Sequence, residues 1–510
     1  MKRFFIILFQ LVLIVAHGSA QNFKVIDKYL SEVQQKWDVP GISVAVVKND
    51  SVVFAKAYGV KDVNDKKSQV DANTLFSIAS NTKVFTATAL GMLVDEGKIN
   101  WDDKVVDYLP YFKLYNPYVT ESMTIRDLLS HRAGLATFSG DLIWYGSTHS
   151  REEVVRRAKF LKPVSEFRTE FGYSNIMYLA AGMVVEKVSG KTWDDFVTEH
   201  ILKPLNMNRT ITTFSQLGKA ENVALPHNTI DDKNVPINYV NWDNIAPAGS
   251  IFSSVNDMAS WLKLWLNKGS VNGTQILSED RIYEMWHPHM AKPVSKLSRS
   301  FWPSRHFTFY GLGWESFDYQ GLQIVTHSGG YDGMASRTVL IPEKNMGFVF
   351  LSNNNNGLPT PIMFSILDKL MNVKTKNDWC DMFLEFQKSG TEKQKQEEYM
   401  AEQSRNVLAK NSLSLEKYCG TYGGEMYGNC EIKLEDGNLT IDFLPTPLFK
   451  GNLKHWHYET FTITLPQVPS LPKGRLRFIL DKNGEVEELK IEIPNPDFDF
   501  SELEFKRIKK

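Results

Sequence analysis

Hydrophobic residues recur at helical spacing through "FKVIDKYLSEVQQKW", with Val25, Ile26, Tyr29, Leu30 and Val33 on one face. The next stretch, "GISVAVVKNDSVVFAKAYGV", reads as two strands joined at Lys48-Asn49-Asp50, a hairpin. A helix is predicted from Ser80 to about Glu96, with Gly97 as its stop. "MTIRDLLSHRAGL" predicts a short helix ending in a turn at Gly134. Helical spacing persists to about residue 266, most clearly in "NDMASWLKLWLNKG", where Met258, Trp261, Leu262 and Trp265 share a face. Strands return in "YGLGWESF", "LQIVTHSGG" and "SRTVLIPEKNMGFVFLSNN", the last folded at the Pro342–Met346 turn. Strands at both ends of a helical middle predict an α+β unit. It would be an antiparallel sheet flanked by helices, plus a helical subdomain, with a cleft between them.

The pattern changes after about residue 375. "EFQKSGTEKQKQEEYMAEQSRNVLAK" is charged and weakly apolar, and residues 376–411 read as a solvated helical linker. From 412 to 510 the signal is all strand, with hairpins at Asp436-Gly437 and Asn483-Gly484, predicting a small barrel-like β domain. At the other end, Lys2 and Arg3 precede the apolar "FFIILFQLVLIVA" and the small residues "GSA" ending at Ala20. Residues 1–20 are therefore expected to be a cleaved secretory signal, a retained N-terminal anchor being the alternative. Export would place the protein in the periplasm or outside the cell. That leaves 21–375 as the main domain, consistent with a chain of 510 residues folding as two or three units. There are no internal repeats.

A net charge of −1 gives no reason to expect a nucleic acid or an acidic membrane surface as partner. No segment after the signal is long and apolar enough to span a bilayer. The three cysteines, Cys380, Cys419 and Cys430, form neither a disulfide framework nor a CxxC pair. Cys419 and Cys430 flank a Gly-rich turn, and a disulfide there or two buried thiols are both open. With no HExxH and no other metal motif, neither a metal nor a cofactor is expected.

Candidate chemistry starts at "FSIASNTKVFTATAL". Ser80 and Lys83, three apart at a helix start, share a face. The helix dipole and free N–H groups there favour negative charge developing on the serine oxygen. A serine hydroxyl needs a base within hydrogen-bond reach. Lys83 can serve only if its pKa falls from about 10.4 towards neutrality, through burial or a nearby cation. Taken alone, S-x-x-K describes by default a capping serine and a solvated lysine.

The surroundings decide between these. "FSIASNTKVFTATAL…GKINWDDKVVDYLP" resembles the serine β-lactamase and penicillin-binding-protein superfamily, its class C-like (peptidase S12-type) branch in particular. "MTIRDLLSHRAGL", "FGYSNIMYLAAGMVVEKVSG" with Tyr173-Ser174-Asn175, "LKPLNMNRT", "PAGSIFSSVNDMASWL" and "THSGGYDGMASRTVLIPEKNMGFVFLSN" follow in the expected order, over roughly 24–370. The resemblance implies a β-lactamase/transpeptidase-like fold and an acyl-enzyme on Ser80. It implies that Lys83 and Tyr173 share proton transfer and that Asn175 orients Lys83 and contacts the acyl group. The N–H groups of Ser80 and Gly330 would form the oxyanion hole, each such donor contributing roughly 3–4 kcal/mol. Gly329 and Gly330 would let a strand approach the substrate closely, and a Tyr beside a Lys is expected to titrate lower than when isolated. His131 reads as a structural turn residue and Gly249 as a turn lining the cleft.

The pattern departs at the third motif, His327-Ser328-Gly329, where relatives acting on β-lactams or D-Ala-D-Ala peptides usually carry Lys. A mostly neutral histidine should anchor a substrate carboxylate weakly, favouring esters or amides. A structural role under the sheet is the other reading of His327. The leading expectation is an exported serine hydrolase acting on a small ester or an amide or peptide. An acyltransferase, a β-lactamase or D,D-peptidase, and a non-catalytic penicillin-binding-type sensor are the alternatives. Aromatics from "WYGS", "NYVNWDN" and "SFWPSRHFTFYG" are candidates to line the cleft, with core packing as the other reading. The β domain resembles accessory domains that cover the cleft, self-associate as a homo-oligomer or bind a partner.

Overall fold

The computed structural model describes residues 23–508, so the expected signal at 1–20 lies outside the described residues. A helix at 23–36 (α1) leads into the expected hairpin, β1 (Gly41–Lys48) and β2 (Ser51–Gly59), turned by Asn49 and Asp50 with φ of 48° and 61°. Six later strands complete an antiparallel sheet of order β2-β1-β8-β7-β6-β5-β4-β3. They are β3 (Met290–Ala291), β4 (Thr308–Tyr310), β5 (Glu315–Tyr319), β6 (Leu322–Tyr331), β7 (Met334–Ile341) and β8 (Met346–Ser352). The first chain segment thus pairs with the last strand, Val44 opposite Phe350.

Both sheet faces are covered, which is why "GISVAVV" is apolar throughout rather than alternating. Ile42, Val44 and Val46 face a layer made by α1 and α5 (Pro359–Met371), while Ala45 and Val47 face the helical subdomain. That subdomain centres on α2 (Thr82–Asp95), buried on almost every side, as its uniformly apolar and small residues require. Around it lie α3 (Asn175–Ser189) and α4 (Val255–Leu266), whose Trp261 stacks on Phe85 with centroids 3.8 Å apart.

The charged segment is not a free linker. It forms α6 (Trp379–Gln403), whose first turns are pinned to the back layer. Cys380 is buried, Trp379 Nε1 donates to Asp368 at 2.6 Å, and Tyr29 donates to Asp378 at 2.9 Å. Trp379 and Phe383, one turn apart, give this end an apolar face, and only the later turns are solvated.

The C-terminal strands close into an eight-stranded antiparallel barrel. They run β9 (Gly420–Gly424), β10 (Gly428–Glu435), β11 (Asn438–Phe443), β12 (Lys450–His457), β13 (Thr460–Thr464), β14 (Gly474–Leu480), β15 (Val486–Glu492) and β16 (Phe505–Arg507). β16 pairs with both β9 and β15, which removes the open edge. Tyr422 stands opposite Cys430 and Gly420 opposite Ile432, so Cys419 is out of register with Cys430, and both thiols are free.

The barrel sits on residues 139–162 of the first domain. Thr148 N donates to the Pro445 carbonyl at 2.8 Å, Arg157 to the Glu425 carbonyl at 2.8 Å, and Gly140 N to Glu502 at 2.8 Å. Among the described residues no helix is long and apolar enough to cross a membrane.

Candidate active site

Ser80 lies two residues before the helix expected to carry it, in a tight turn (Ala79–Asn81) that leads into α2. Ala79 enters the turn at φ 45°, a costly conformation for a residue with a Cβ. The neighbourhood holds it there. Ile78 N donates to the Ile251 carbonyl at 2.9 Å, and the Ile78 carbonyl accepts from Asn81 N at 3.1 Å and from Ser336 Oγ of β7 at 2.7 Å. Asn81 Nδ2 donates to the same Ser336 oxygen at 2.8 Å. The turn is thus bolted to the sheet.

Lys83 is fully buried one turn on, and its Nζ reaches Ser80 Oγ at 3.1 Å, Asn175 Oδ1 at 2.7 Å and the Ala248 carbonyl at 2.8 Å. Burial lowers its pKa to about 7, against a smaller upward pull from Asp141. Asn175, the first residue of α3, passes the contact on: its Nδ2 donates to Asp141 Oδ2 at 2.7 Å. Asp141 also accepts from Trp144 Nε1 at 2.8 Å, and burial raises its carboxyl to about 7. Lys83, Asn175 and Asp141 therefore form one buried chain, with the amide between amine and carboxyl. Asp141 was not a candidate from the sequence. "GDLIWYG" has no motif that marks it, and only the fold brings it under Asn175.

Tyr173 lies beside the amine, with Lys83 Nζ 4.7 Å from its ring centroid. The expected downward shift does not occur. Burial pushes the phenol well above its ordinary value, and its hydrogen bond with Ser80 offsets only part of this. At neutral pH Tyr173 keeps its proton, and of these two neighbours of Ser80 it is Lys83 that titrates near 7.

His327 is buried with both ring nitrogens engaged. Nδ1 lies 2.6 Å from the Ser328 carbonyl, which can only accept, so Nδ1 carries the proton and Nε2 accepts from the Tyr310 hydroxyl at 2.9 Å. Burial, helped by the charge of Lys83, lowers its pKa to about 3. We expect its ring Cε1–H resonance to hold still between about pH 8 and about pH 5, where an unperturbed histidine titrates. A titrating resonance would refute the bonded, neutral ring. Because its folded pKa lies below the unfolded value, the stability this ring contributes is lost as pH falls below about 6.5.

The two glycines do different things. A Cβ on Gly329 would lie 2.1 Å from the Ile78 carbonyl oxygen and 2.4 Å from Ser336 Oγ, so its bareness makes room for the Ser80 turn. Gly330 is exposed, and its nearest obstruction would be Asn355 at 3.4 Å. Pairing of β6 with β5 ends at Thr326, so residues 327–331 have one edge without a strand partner. His131 is the expected turn residue, at φ 57°, accepting from Ser174 N at 3.0 Å with its ring 4.3 Å from that of Tyr173. Gly249 ends a short helix under the Trp242 ring, its Cβ position 2.9 Å from that ring.

These residues open onto a cavity of about 890 Å³. Ser80, Asp141, Tyr173, Asn175, His327 and Gly330 line it, and Lys83 stands just behind. Trp144, Tyr145, Trp242 and Tyr310 are the aromatics from the three noted segments that reach its wall. Trp302 instead packs in the back layer on Phe364, at 3.9 Å. The barrel contributes Pro469, Ser470 and Asn495 to Phe498, so the cavity has a wall from each domain. No cluster suited to a metal ion occurs among the described residues.

The Beta-lactamase family model matches residues 26–363, and the model "Domain of unknown function (DUF3471)" matches 404–507. "Unguisins hydrolase ungD'" of Aspergillus campestris (strain IBT 28561) is 28% identical over 423 residues, 79% of this chain and 76% of that protein. "Protein flp" of Staphylococcus aureus (strain MW2) is 29% identical over 359 residues, 68% of this chain and 66% of that protein. The octameric penicillin-binding protein homologue from Pyrococcus abyssi superposes with a TM-score of 0.63 at 22% identity, covering 95% of this chain and 100% of that one, a likeness of fold. The family model takes in the Ser80 turn, the Tyr173–Asn175 segment and β6 together, and the chain belongs to the Beta-lactamase family.

Proposed function

We propose that the protein is an exported serine hydrolase that acts on an ester or an amide or peptide through an acyl-Ser80 intermediate. The observation that carries this is the contact of a fully buried Lys83, its pKa brought to about 7, with Ser80 Oγ at 3.1 Å. As a neutral amine, Lys83 takes the Ser80 proton while Oγ attacks the carbonyl carbon. The N–H groups of Ser80 and Gly330 receive the oxyanion. Tyr173, which keeps its proton and is hydrogen-bonded to Ser80, hands a proton to the leaving group and recovers one from Lys83. Water then attacks the acyl-enzyme by the same route in reverse. The Aspergillus relative, named as a hydrolase, supports this class of reaction.

The neutral, doubly bonded His327 supports a substrate without a carboxylate at that position. An acyltransferase on the same machinery is the second reading, favoured by a cavity of about 890 Å³ with room for an acceptor beside the acyl group. The complete Ser80–Lys83–Asn175–Tyr173 set supports turnover over a sensor.

Intact mass after brief exposure to an activated neutral ester tests the proposal. An adduct is expected on the mature protein and none on Ser80→Ala; absence of both adduct and turnover in the wild type would refute it. Competing alcohols or amines then separate hydrolysis from transfer.

Asp141 raises the pKa of Lys83. Asp141→Asn should therefore move the ascending limb of the pH–acylation profile to lower pH. An unmoved limb would mean that the titrating group is not coupled to Asp141.

A further inference from the structure

Where the barrel meets the cavity, the wall combines negative charge with aromatic faces. Asp332, just after β6, lines it. Its Oδ1 accepts from Tyr145 at 2.8 Å and from Ser470 of the barrel at 3.4 Å. Its Oδ2 is buried and makes no hydrogen bond to any other residue. Asp497, on the barrel loop between β15 and β16, also lines the cavity, exposed at its mouth, and its charge is felt at both Asp332 and Asp141. Among the described residues no Lys, Arg or His forms an ion pair with Asp332 or Asp497. The two cations elsewhere on the wall, Lys292 and Arg337, act on Glu315 instead, Lys292 as its direct partner. Around the acids stand aromatic rings: Trp242 against Tyr331 at 4.7 Å and Tyr145 against Phe498 at 4.5 Å, all four lining the cavity.

A buried carboxylate oxygen with nothing to bond is costly unless a ligand completes it. A hard metal ion would demand several oxygen ligands at once, and no such group occurs among the described residues. Aromatic faces beside carboxylates suit an organic cation instead, which gains from both the ring quadrupoles and the charge.

We propose that this end of the cavity binds an alkylammonium group of the substrate, held between Asp332 and Asp497 against the half-buried rings of Trp242 and Phe498, with Tyr145 and Tyr331 packed behind them. The inference rests on the serine-hydrolase reading and deepens it by naming a substrate class, amine-bearing esters or amides. It makes the barrel part of the substrate site, because Asp497 and Phe498 come from it.

The test separates binding from turnover. Choline and its neutral isostere 3,3-dimethylbutan-1-ol are titrated calorimetrically into full-length Ser80→Ala. Choline should bind roughly 10-fold to 100-fold more tightly. That ratio should fall towards one when Asp497→Asn or Asp332→Asn is added. Asp497→Asn removes a carboxylate that holds no other side chain, and Asp332→Asn keeps an oxygen for Tyr145, so neither depends on an altered fold. Equal affinities, no binding of either probe, or a ratio unmoved by both variants would overturn the inference. An acyl adduct on wild-type Ser80 alongside equal affinities would leave the hydrolase reading intact. Choline selectivity without any adduct would do the reverse.

Discussion

Replacing Lys83 by alanine should slow acylation of Ser80 by about 10²–10⁴-fold, the range for loss of a general base. The amine is the one group in contact with Ser80 Oγ whose pKa lies near neutrality, at about 7, because it is wholly buried. Tyr173 cannot substitute, since burial holds its proton on. The rate of adduct formation by intact mass, at several pH values, checks this. The wild type should gain rate as pH rises through about 7, and the variant should lose that limb. Near-normal acylation by Lys83→Ala would remove Lys83 from the base role. The fold should survive the change. Between about 7 and the ordinary lysine value near 10.5, the unfolded chain keeps a proton that the folded chain gives up, so wild-type stability rises with pH there. The variant has no such slope and no buried amine to desolvate.

The second large effect is expected from the smallest substitution. Gly329→Ala would put a methyl 2.1 Å from the Ile78 carbonyl and 2.4 Å from Ser336 Oγ, the two atoms that fasten the Ser80 turn to β7. Neither neighbour is free to withdraw. The carbonyl is backbone, and Ser336 also accepts from Asn81. The turn must shift, and displacement of reacting groups by about 1 Å costs on the order of 10²-fold in rate. Overpacking of this kind also costs about 1–3 kcal/mol of stability. Steady-state kinetics with a thermal melt on the same preparation should show a large fall in kcat and a modest fall in Tm. Gly330→Ala, with 3.4 Å of clearance, is the control and should melt close to the wild type. Unchanged turnover in Gly329→Ala would mean that the turn does not rest on that strand as described.

Several features were readable because they are local. Lys48-Asn49-Asp50 turns a hairpin since Asn and Asp tolerate positive φ, and both adopt it. The face Met258, Trp261, Leu262 and Trp265 is buried as its spacing predicted. Ser80 and Lys83 meet because three residues is nearly one helical turn. Other features were hidden because their causes are distant in the chain. Asp141 is 34 residues from Asn175, and nothing in "GDLIWYG" says that they touch. Burial that raises Tyr173 outweighs the neighbouring cation that was expected to lower it, and burial is a property of the packed whole. Cys419 and Cys430 flank a turn, yet strand register places Tyr422, not Cys419, opposite Cys430.

What the sequence by itself determined is therefore the hairpin at Lys48-Asn49-Asp50, the apolar face of α4 and the spacing that sets Ser80 beside Lys83. Each depends on residue spacing and on conformational preferences acting over a few positions. Tertiary structure decided the rest. It set the pKa of Lys83 through complete burial and supplied Asp141 through the Asn175 amide. It neutralised His327 between Tyr310 and the Ser328 carbonyl, and it brought Asp497 of the barrel to the cavity that holds Ser80. Desolvation and charge coupling act through space, so they are settled only once segments hundreds of residues apart have packed together.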